Sequence, residues 1–263
     1  MRSDSPPLAG AHAVVTGASR GIGLAIAEEL AHLGATLTLM GRSRETLAAA
    51  QRRLAAQPDH PVHVEPVDVT SAEHVSRAFA SATAAHGPVT ILVNNAGAAE
   101  SAPFRKTDHQ VWRRMLEVNL DGPYRCTACV VDGMLATGHG RIVNIASTAG
   151  LRGYPYVTAY CAAKHGLVGF TRALARELAG SGITVNAVCP SYTDTQLVAE
   201  AVEHITARSH RPPAEVRAML TRTNPSGRLI EPHEVAALVA WLCLPSTSML
   251  TGQAIALDGG ELA

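Results

Sequence analysis

The sequence lacks an excess charge of either sign and lacks long apolar runs. Its 263 residues include 22 basic and 22 acidic residues, so no overall field favours nucleic acid or an anionic membrane. No stretch approaches the roughly eighteen uninterrupted apolar residues that a membrane span needs. Residues 1–10 are polar and carry prolines instead of the apolar core of a signal peptide. We therefore expect a flexible terminus over 1–10, a cytosolic (cytoplasmic) protein, no membrane span and no nucleic-acid partner.

Cysteines are few and odd in number, which argues against a disulfide framework. Five occur, at positions 126, 129, 161, 189 and 243. Cys126 and Cys129 have the spacing of a redox or zinc motif, but no second Cys or His pair stands at metal-binding spacing. Small apolar helix positions are the favoured interpretation of this pair. We predict free thiols and no catalytic metal.

Apolar runs and amphipathic stretches alternate along the whole chain. Continuous apolar runs such as 91–93 and 183–188 suit strands that are buried on both faces of a parallel sheet. The alternation predicts an α/β fold, a doubly wound parallel sheet of about seven strands, in a single domain over 11–263 with its ligand at the carboxyl ends of the strands. Strands are predicted at 12–16, 35–40, 62–67, 89–94, 140–146, 183–189 and 253–257, and helices at 21–33, 44–56, 71–86, 107–136, 158–180, 196–207, 213–222 and 231–243.

A glycine-rich turn follows the first predicted strand. Residues 16–23 read T-G-A-S-R-G-I-G, between an apolar run and a helical pattern. Gly17 suits a tight turn, Gly21 a close approach to a pyrophosphate and Gly23 close packing of helix on strand. The spacing differs from the more common G-x-G-x-x-G, but the strand, turn and helix context is the one that a dinucleotide site requires.

A second motif combines a hydroxyl, a phenol and an amine. Ser147 precedes Tyr160 by thirteen positions, and Lys164 follows Tyr160 by four, on the same face of a predicted helix. A free tyrosine has a pKa of about 10, and a fixed cation nearby is expected to lower that pKa toward the working pH. Such a tyrosine transfers protons, although Y-x-x-x-K alone is common in helices.

Two further motifs stand beside the glycine turn and the Ser-Tyr-Lys motif. They are residues 94–97, N-N-A-G, after the strand at 89–93, and Asn119 in the helix that follows. In this order, residues 11–260 resemble the short-chain dehydrogenase/reductase (SDR) family, whose fold is the Rossmann fold, and within it most resemble reductases of 3-oxoacyl thioesters and 3-hydroxyacyl-CoA dehydrogenases. The resemblance implies a homotetramer, with 253–263 at one interface. It also implies a catalytic tetrad of Asn119, Ser147, Tyr160 and Lys164.

Each member of this tetrad has an implied role. Tyr160 donates or accepts the proton, and Ser147 hydrogen-bonds the substrate oxygen. Lys164 also holds the nicotinamide ribose, and Asn119 anchors a water that relays protons.

The end of the second predicted strand bears on the choice of cofactor. Arg42 stands where an NAD-specific fold carries an acidic residue, and Arg20 lies in the glycine turn. Planar guanidinium groups suit bidentate contacts with the 2'-phosphate of NADP. This pair favours NADP(H) over NAD(H), unless both arginines are solvated surface charges. Asp68 with Val69 resembles the adenine-contact pair of the family, and Asp68 also suits a helix cap.

One position departs from the family pattern. Ser191 follows Pro190 where the family usually has glycine. If this position needs φ above zero, serine costs on the order of 1 kcal/mol or shifts the nicotinamide. Thr193 and Thr195 fit the positions that hold the carboxamide and the phosphates. The predicted cofactor-binding residues are Gly17, Ser19, Arg20, Gly21, Ile22, Gly23, Arg42, Ser43, Asp68, Val69, Asn95, Ala96, Gly97, Tyr160, Lys164, Pro190, Ser191, Thr193 and Thr195.

Substrate specificity is expected in three segments, 98–104, 151–157 and 196–224. Aromatic surface at 153–157 suits an apolar or acyl-bearing carbonyl compound. The basic residues of 196–224 fit either a lid that meets the phosphates of an acyl-CoA or acyl-carrier substrate, or an ordinary solvated pair of helices. The predicted pocket residues are Ala98, Thr148, Gly153, Tyr154 and Tyr156.

Three functions remain open. The first is an NADP(H)-dependent oxidoreductase that reduces a ketone or a 3-oxoacyl thioester. The second is an NAD-dependent alcohol or hydroxyacyl-CoA dehydrogenase that works in the oxidative direction. The third is a non-catalytic dinucleotide sensor, which the presence of Tyr160 and Lys164 disfavours.

Overall fold

The computed structural model describes residues 5–55, 61–209, 211–222 and 224–263. Within these ranges, seven parallel strands form one sheet in the order β3-β2-β1-β4-β5-β6-β7. The strand order changes direction between β1 and β4, which is where the ligand crevice of a doubly wound sheet opens at the carboxyl ends. The strands are β1 (His12–Thr16), β2 (Thr36–Gly41), β3 (Val62–Pro66), β4 (Ile91–Asn94), β5 (Gly140–Ile145), β6 (Ile183–Pro190) and β7 (Ala254–Leu257).

Helices cover both faces of the sheet. Along β1, Ala13 and Val15 join one apolar cluster, which contains residues of α1 and α10, and Val14 joins a second cluster on the other side. Two buried faces explain why the strand sequences are continuously apolar. The helices are α1 (Gly21–His32), α2 (Arg44–Ala55), α3 (Ala72–His86), α4 (His109–Leu116), α5 (Gly122–Ala128), α6 (Val131–Thr137), α7 (Thr158–Glu177), α8 (Gln196–Ser209), α9 (Pro213–Thr221) and α10 (Pro232–Cys243). The predicted fold class, a doubly wound sheet in one domain, is confirmed.

The continuous helix predicted at 107–136 is wrong. A π-helical turn, Glu117–Asp121, separates α4 from α5, and the chain turns again before α6. Pro123 has no N–H to donate to the carbonyl of Asn119, its partner in a regular α-helix, and the Gly122 N–H donates five residues back to Glu117. The interruption places Asn119 inside the π turn.

The described part of the predicted flexible terminus is held against the core. Leu8 is buried, and its N–H donates to the Leu33 carbonyl at 2.9 Å. Of the helices in the described ranges, none combines the length and the apolar character that a membrane crossing requires. The cytosolic location stays a prediction. All five cysteines are free thiols.

Candidate active site

The glycine turn is shaped by close backbone packing. Gly17 and Gly21 have φ of 65° and 56°, which side chains rarely allow. A Cβ on Gly17 would lie 3.0 Å from the Cα of Ala96. The Asn95 amide group donates to the carbonyls of Thr16 at 2.9 Å and Gly17 at 3.1 Å. The loop after β4 therefore holds the turn in place.

The Thr16 hydroxyl completes this brace. It accepts from the backbone N–H groups of Asn95 and Ala96, both at 3.0 Å. The two loops thus form one rigid surface at the carboxyl ends of β1 and β4, in front of the N-terminus of α1. Its glycines leave room for a pyrophosphate, and the helix terminus supplies N–H donors and a positive dipole end. The turn fits a dinucleotide cofactor.

We call this surface, formed by residues 16–23 and 94–97, the cofactor cradle. The loops after β2 and β3 flank it. Arg42 is exposed and close enough to lower the pKa of Asp68, after a larger effect from the Thr70 N–H, which donates to that carboxylate at 3.0 Å. Ser71 caps α3 by accepting from His74, so the alternative of Asp68 as the helix cap is wrong. Arg42 and Asp68 stand together at the predicted adenosine end.

Other predicted cofactor residues have structural partners of their own. The Ser43 hydroxyl accepts from the Thr46 N–H at 3.3 Å. Val69 contacts Gly122, where an added Cβ would lie 2.9 Å from the valine methyl. Ser19 lies beside Gly41, and Ile22 packs on the core under α1.

Arg20 faces the segment that follows β6. Its guanidinium hydrogen-bonds Gln196 and lies 3.8 Å from the Glu200 carboxylate, both on α8. The role of Arg20 as a phosphate ligand stays a prediction.

Three residues of the predicted tetrad meet beside the cradle. Ser147 follows β5 at its carboxyl end, and Tyr160 and Lys164 lie in the first turns of α7. The Ser147 hydroxyl hydrogen-bonds the Tyr160 phenol. Lys164 is buried, its Nζ donates to the Ile145 carbonyl at 2.8 Å, and Nζ lies 5.6 Å from the centre of the Tyr160 ring. The structure brings these three predicted residues together.

Asn119 joins them from the π turn. Its fully buried amide donates to the carbonyls of Ala98 at 2.9 Å and Met115 at 3.0 Å, and its oxygen accepts from the Ala98 N–H at 3.3 Å. An added Cβ on Gly97 would lie 2.9 Å from the Asn119 oxygen and 3.8 Å from the Lys164 amine. Gly97 is therefore the point at which the cofactor cradle touches the predicted tetrad of Asn119, Ser147, Tyr160 and Lys164, which we call the catalytic group.

The protonation of Tyr160 and Lys164 differs from the sequence prediction. Burial raises the pKa of Tyr160 to about 12, with only a partial offset from the Ser147 hydrogen bond. Burial also lowers the pKa of Lys164 to about 8. The expected lowering of the tyrosine pKa by the lysine is therefore wrong for the protein alone, because both charged forms lose hydration and the amine is directed at Ile145. At neutral pH the phenol is protonated.

The loop after β6 accommodates serine without strain. Among described residues other than glycine, Tyr156 alone has positive φ, at 67°, so Ser191 has an ordinary backbone conformation. The Ser191 N–H donates to the Leu257 carbonyl at 3.1 Å, and its hydroxyl donates to Glu261. Pro190 ends β6, and the Thr193 hydroxyl donates to the Ser191 carbonyl at 3.1 Å. The Thr195 methyl would lie 3.3 Å from a Cβ on Gly21, so this loop reaches the cradle.

The predicted pocket residues differ in exposure and in contacts. The Tyr154 phenol donates to Glu261, whereas Tyr156 is 61% exposed and Gly153 is exposed. The Tyr156 carbonyl accepts from the Ala102 N–H at 2.8 Å, which joins the segments 98–104 and 151–157. Sequence reasoning missed Glu261, since nothing in the local pattern near the end of the chain marks it.

The segment 196–224 forms α8 and α9, which pack on each other through the small apolar cluster of Val198, Val202, Val216 and Leu229. Arg217 pairs with Asp194 at 2.9 Å and Arg211 with Glu215 at 3.1 Å. The side chain of Arg208 and residue His210 lie outside the described part. The described pairs show that these two cations already have carboxylate partners.

Known proteins share this architecture and sequence. The 3-oxoacyl-(acyl-carrier-protein) reductase FabG of Aquifex aeolicus is 35% identical over 253 residues, which cover 96% of this chain and 98% of that protein. A cis-4-hydroxycyclohexanecarboxylate dehydrogenase of Sinomonas cyclohexanicum is 39% identical over 252 residues, covering 95% and 96%. A crystal structure of an actinorhodin polyketide ketoreductase variant with NADPH superposes with a TM-score of 0.92 at 39% identity and covers 95% of this chain and 97% of that one.

The family model of short chain dehydrogenase matches residues 11–206, most of the sheet and all four residues of the predicted tetrad. The predicted family and the predicted enzyme class are confirmed by this match and by the named relatives. This chain belongs to the short-chain dehydrogenase/reductase family and is an oxidoreductase.

Proposed function

We propose that this protein is an NADPH-dependent ketoreductase that reduces a 3-oxoacyl thioester, or a similar apolar ketone, to the secondary alcohol. The observation that carries the proposal is the geometry of the Tyr160 phenol, which is hydrogen-bonded to Ser147 and backed by the buried Lys164 at the edge of a dinucleotide cradle. Burial raises the pKa of this phenol to about 12 and so keeps it protonated at neutral pH. A protonated phenol is the state that reduction requires.

In the mechanism, negative charge develops on the ketone oxygen and is neutralised by a proton. With NADPH held in the cradle, the carbonyl carbon would accept the hydride that this cofactor supplies. Tyr160 donates its proton to the oxygen. The Ser147 hydroxyl then hydrogen-bonds that oxygen as well as the phenol. We propose that Lys164, charged below its pKa of about 8, turns from the Ile145 carbonyl toward the phenolate that remains and stabilises it until a proton returns from solvent. One ketone, one NADPH and one proton yield one alcohol and one NADP⁺.

Preference for NADPH rests on Arg42. Its exposed guanidinium stands at the carboxyl end of β2, where an acidic residue would instead bind a ribose hydroxyl. Asp68 lies close to it, and we propose that the 2'-phosphate and Asp68 share this cation. A related ketoreductase is known with NADPH, which supports the same choice here.

A 3-oxoacyl substrate is supported by the FabG relative and by the loop at 151–157, whose tyrosines lie between Ser147 and Tyr160. We propose that α8 and α9 form a lid over this substrate. The approach of Thr195 to Gly21 and the hydrogen bond between Arg20 and Gln196 support this proposal, because they bring the start of α8 close to the glycine turn.

We also propose a homotetramer. Tyr124 on α5 is 58% exposed and makes an edge contact with Phe170 on α7, at 6.4 Å between ring centres. Trp241 on α10 and Met249 after it are also exposed, at 44% and 94%. Exposed apolar side chains on α5 and on α10 suit contacts with other subunits. Light scattering at micromolar concentration should give four times the mass of the chain, and a stable monomer would contradict the proposal.

The test of function compares both directions of the reaction with both cofactors. The purified protein is assayed with NADPH or NADH on a 3-oxoacyl-CoA, a 3-oxoacyl carrier protein and simple ketones, and with NADP⁺ or NAD⁺ on the matching alcohols. We expect the highest kcat/KM for NADPH with a 3-oxoacyl thioester at neutral pH. Higher kcat/KM for alcohol oxidation with NAD⁺ would favour the second candidate, a dehydrogenase like the Sinomonas relative.

A further inference from the structure

A buried carboxylate near the end of the chain lies behind the active site. The Glu261 side chain is 1% exposed, and it follows β7 in a tight turn. Asp258 holds this turn by accepting from the N–H groups of Gly260 at 3.0 Å and Leu262 at 2.9 Å. The position of Glu261 is therefore fixed by its own backbone.

Side chains from two loops donate to this carboxylate. One oxygen accepts from the Tyr154 phenol at 2.7 Å and from Arg152 at 3.1 Å. The other oxygen accepts from the hydroxyl of Ser191. Arg152 also lies over the Tyr154 ring, 4.7 Å from its centre. A buried carboxylate is tolerated when it is paired and hydrogen-bonded in this way.

The two loops carry the chemistry on either side of the reacting carbon. Tyr154 lies between Ser147 and Tyr160 in the chain, and its phenol is also hydrogen-bonded by Thr148, the neighbour of Ser147. Ser191 begins the loop after β6, where the family places the nicotinamide. Glu261 thus connects a predicted wall of the substrate pocket with a predicted wall of the cofactor site.

Serine at 191 makes this connection possible. The usual glycine at this position has no hydroxyl to donate, so the Ser191 to Glu261 hydrogen bond is a feature of this chain's own residues. With glycine at this position, Tyr154 and Arg152 would still donate to the first carboxylate oxygen, but the serine donor to the second oxygen would be lost. The departure from the family pattern and the buried acid are thereby two parts of one arrangement.

We infer that Glu261 is a positioning residue that fixes Tyr154 and Ser191 relative to each other and so determines how the ketone is oriented at the nicotinamide. The inference rests on the proposed ketone reduction. It predicts that loss of the carboxylate affects KM for the ketone and the enantiomeric ratio of the alcohol more than kcat, because Tyr160, Ser147 and Lys164 stay in place.

The test uses Glu261→Ala and Glu261→Gln, with ethyl 3-oxobutanoate and NADPH as probes. Small misplacements in an active site cost up to about a hundredfold in rate, and we expect Glu261→Ala to raise KM about tenfold, with kcat changed less than about threefold. Chiral chromatography should show a lower enantiomeric ratio. Glu28→Ala is the matched control, since Glu28 pairs with Arg53 on the surface of α1 and α2 and should change none of these values.

A double-mutant comparison separates positioning from mere stability. Tyr154→Phe with Ser191→Ala removes two donors and leaves the acid, and it should reproduce the change in enantiomeric ratio if Glu261→Ala fails to fold. Adding Glu261→Ala to this pair should change KM less than about twofold, since the contacts that tie Tyr154 and Ser191 to the carboxylate are already lost and only partners such as Arg152 remain. Equal KM and equal enantiomeric ratio in wild type, Glu261→Ala and the Tyr154/Ser191 variant would overturn the inference.

Failure of the inference is distinguishable from failure of the proposed function. If wild type reduces the ketone and the variants match it, only the inference falls. If wild type reduces no ketone, the proposed function falls, and the inferred effect on ketone orientation falls with it. A fluorescence titration with NADPH then tests only the Ser191 side of the arrangement. Weaker NADPH binding by Glu261→Ala, with normal binding by Glu28→Ala, would support a role of Glu261 through Ser191, and unchanged binding would exclude it.

Discussion

The cofactor cradle and the catalytic group lie side by side but are built in opposite ways. Around the glycine turn, backbone packs directly on backbone, and Asn95 satisfies the carbonyls that the turn leaves free. Around Tyr160, the interior holds ionisable groups whose charged forms burial disfavours, including Lys164. On the proposed function, the shape that stabilises the cradle is also the shape that binds the cofactor, whereas the catalytic group is kept at a cost in stability.

This contrast has a testable form. Substitutions in the cradle should lose stability and function together. Substitutions in the catalytic group should lose function while stability is unchanged or higher.

The largest effect is expected for Tyr160→Phe. Removal of the proton donor should lower kcat by about 10² to 10⁴, the usual contribution of general acid catalysis. The ring remains, so NADPH affinity and the free energy of unfolding should stay close to wild type. Stopped-flow reduction of a ketone gives kcat, and urea denaturation gives the stability. Near-normal turnover of the variant would remove Tyr160 from its proposed role.

The same contrast explains which parts of the molecule the sequence predicts. The glycine turn and the seven strands follow from local patterns, since a turn with φ above zero needs glycine and a strand buried on both faces needs an apolar run. Predicted ends of strands and helices agree within about three residues with those observed, apart from the helix at 107–136. Pro123 was the available signal for that interruption, because it cannot donate to the carbonyl of Asn119.

Contacts between distant segments were not predictable from local patterns. Glu261 meets Ser191 and Tyr154 across 70 and 107 positions, and no periodicity links them. The shifted pKa of Tyr160 also depends on the surrounding atoms rather than on the spacing to Lys164. Motif spacing identifies which residues meet, whereas their burial and hydrogen bonds in the folded chain determine their protonation.

Gly23→Ala tests the cradle. An added Cβ would lie 2.9 Å from the Gly17 carbonyl carbon and would also collide with the Asn95 amide. Overpacking of this kind destabilises by about 1–3 kcal/mol. NADPH affinity should fall at the same time, by roughly tenfold or more, because the displaced Gly17 belongs to the binding turn.

Gly133→Ala is the matched control for this change. Gly133 lies in α6, and nothing lies within 4 Å of its added Cβ. Alanine in a helix interior is favoured over glycine by about 0.5–1 kcal/mol, so the control should be neutral or slightly more stable. A Gly23→Ala protein with normal melting temperature and normal NADPH affinity would contradict the proposed role of the turn.

Arg42→Asp separates binding from stability within the cofactor side. Arg42 is exposed, so its replacement should leave the melting temperature nearly unchanged. Loss of the phosphate contact and repulsion by the new carboxylate should shift the ratio of kcat/KM for NADPH over NADH by at least roughly tenfold toward NADH. An unchanged ratio would make Arg42 a solvated surface charge, and a wild type that prefers NADH would contradict the proposed cofactor.

The smallest effect, and the sharpest test of the contrast, is expected in the stability of Lys164→Met. Burial lowers the pKa of Lys164 to about 8 from 10.5 in the unfolded chain, so at pH 7 the folded protein holds a charge in an unfavourable site. Methionine removes this cost, while the Ile145 carbonyl loses its donor at 2.8 Å, which acts in the opposite direction. We expect a net gain of about 1–3 kcal/mol in the free energy of unfolding at pH 7, together with loss of activity.

The pH dependence of that gain identifies its cause. Between about pH 8 and 10.5 the unfolded chain binds the lysine proton more than the folded chain does, so wild-type stability from this group rises with pH across that window. The advantage of Lys164→Met is therefore complete below pH 8 and shrinks as pH increases toward 10. Urea denaturation of both proteins at pH 7 and pH 9.5 measures the difference directly. If the free energies of unfolding of the two proteins differed by the same amount at both pH values, the buried charge of Lys164 would not be what destabilises the catalytic group.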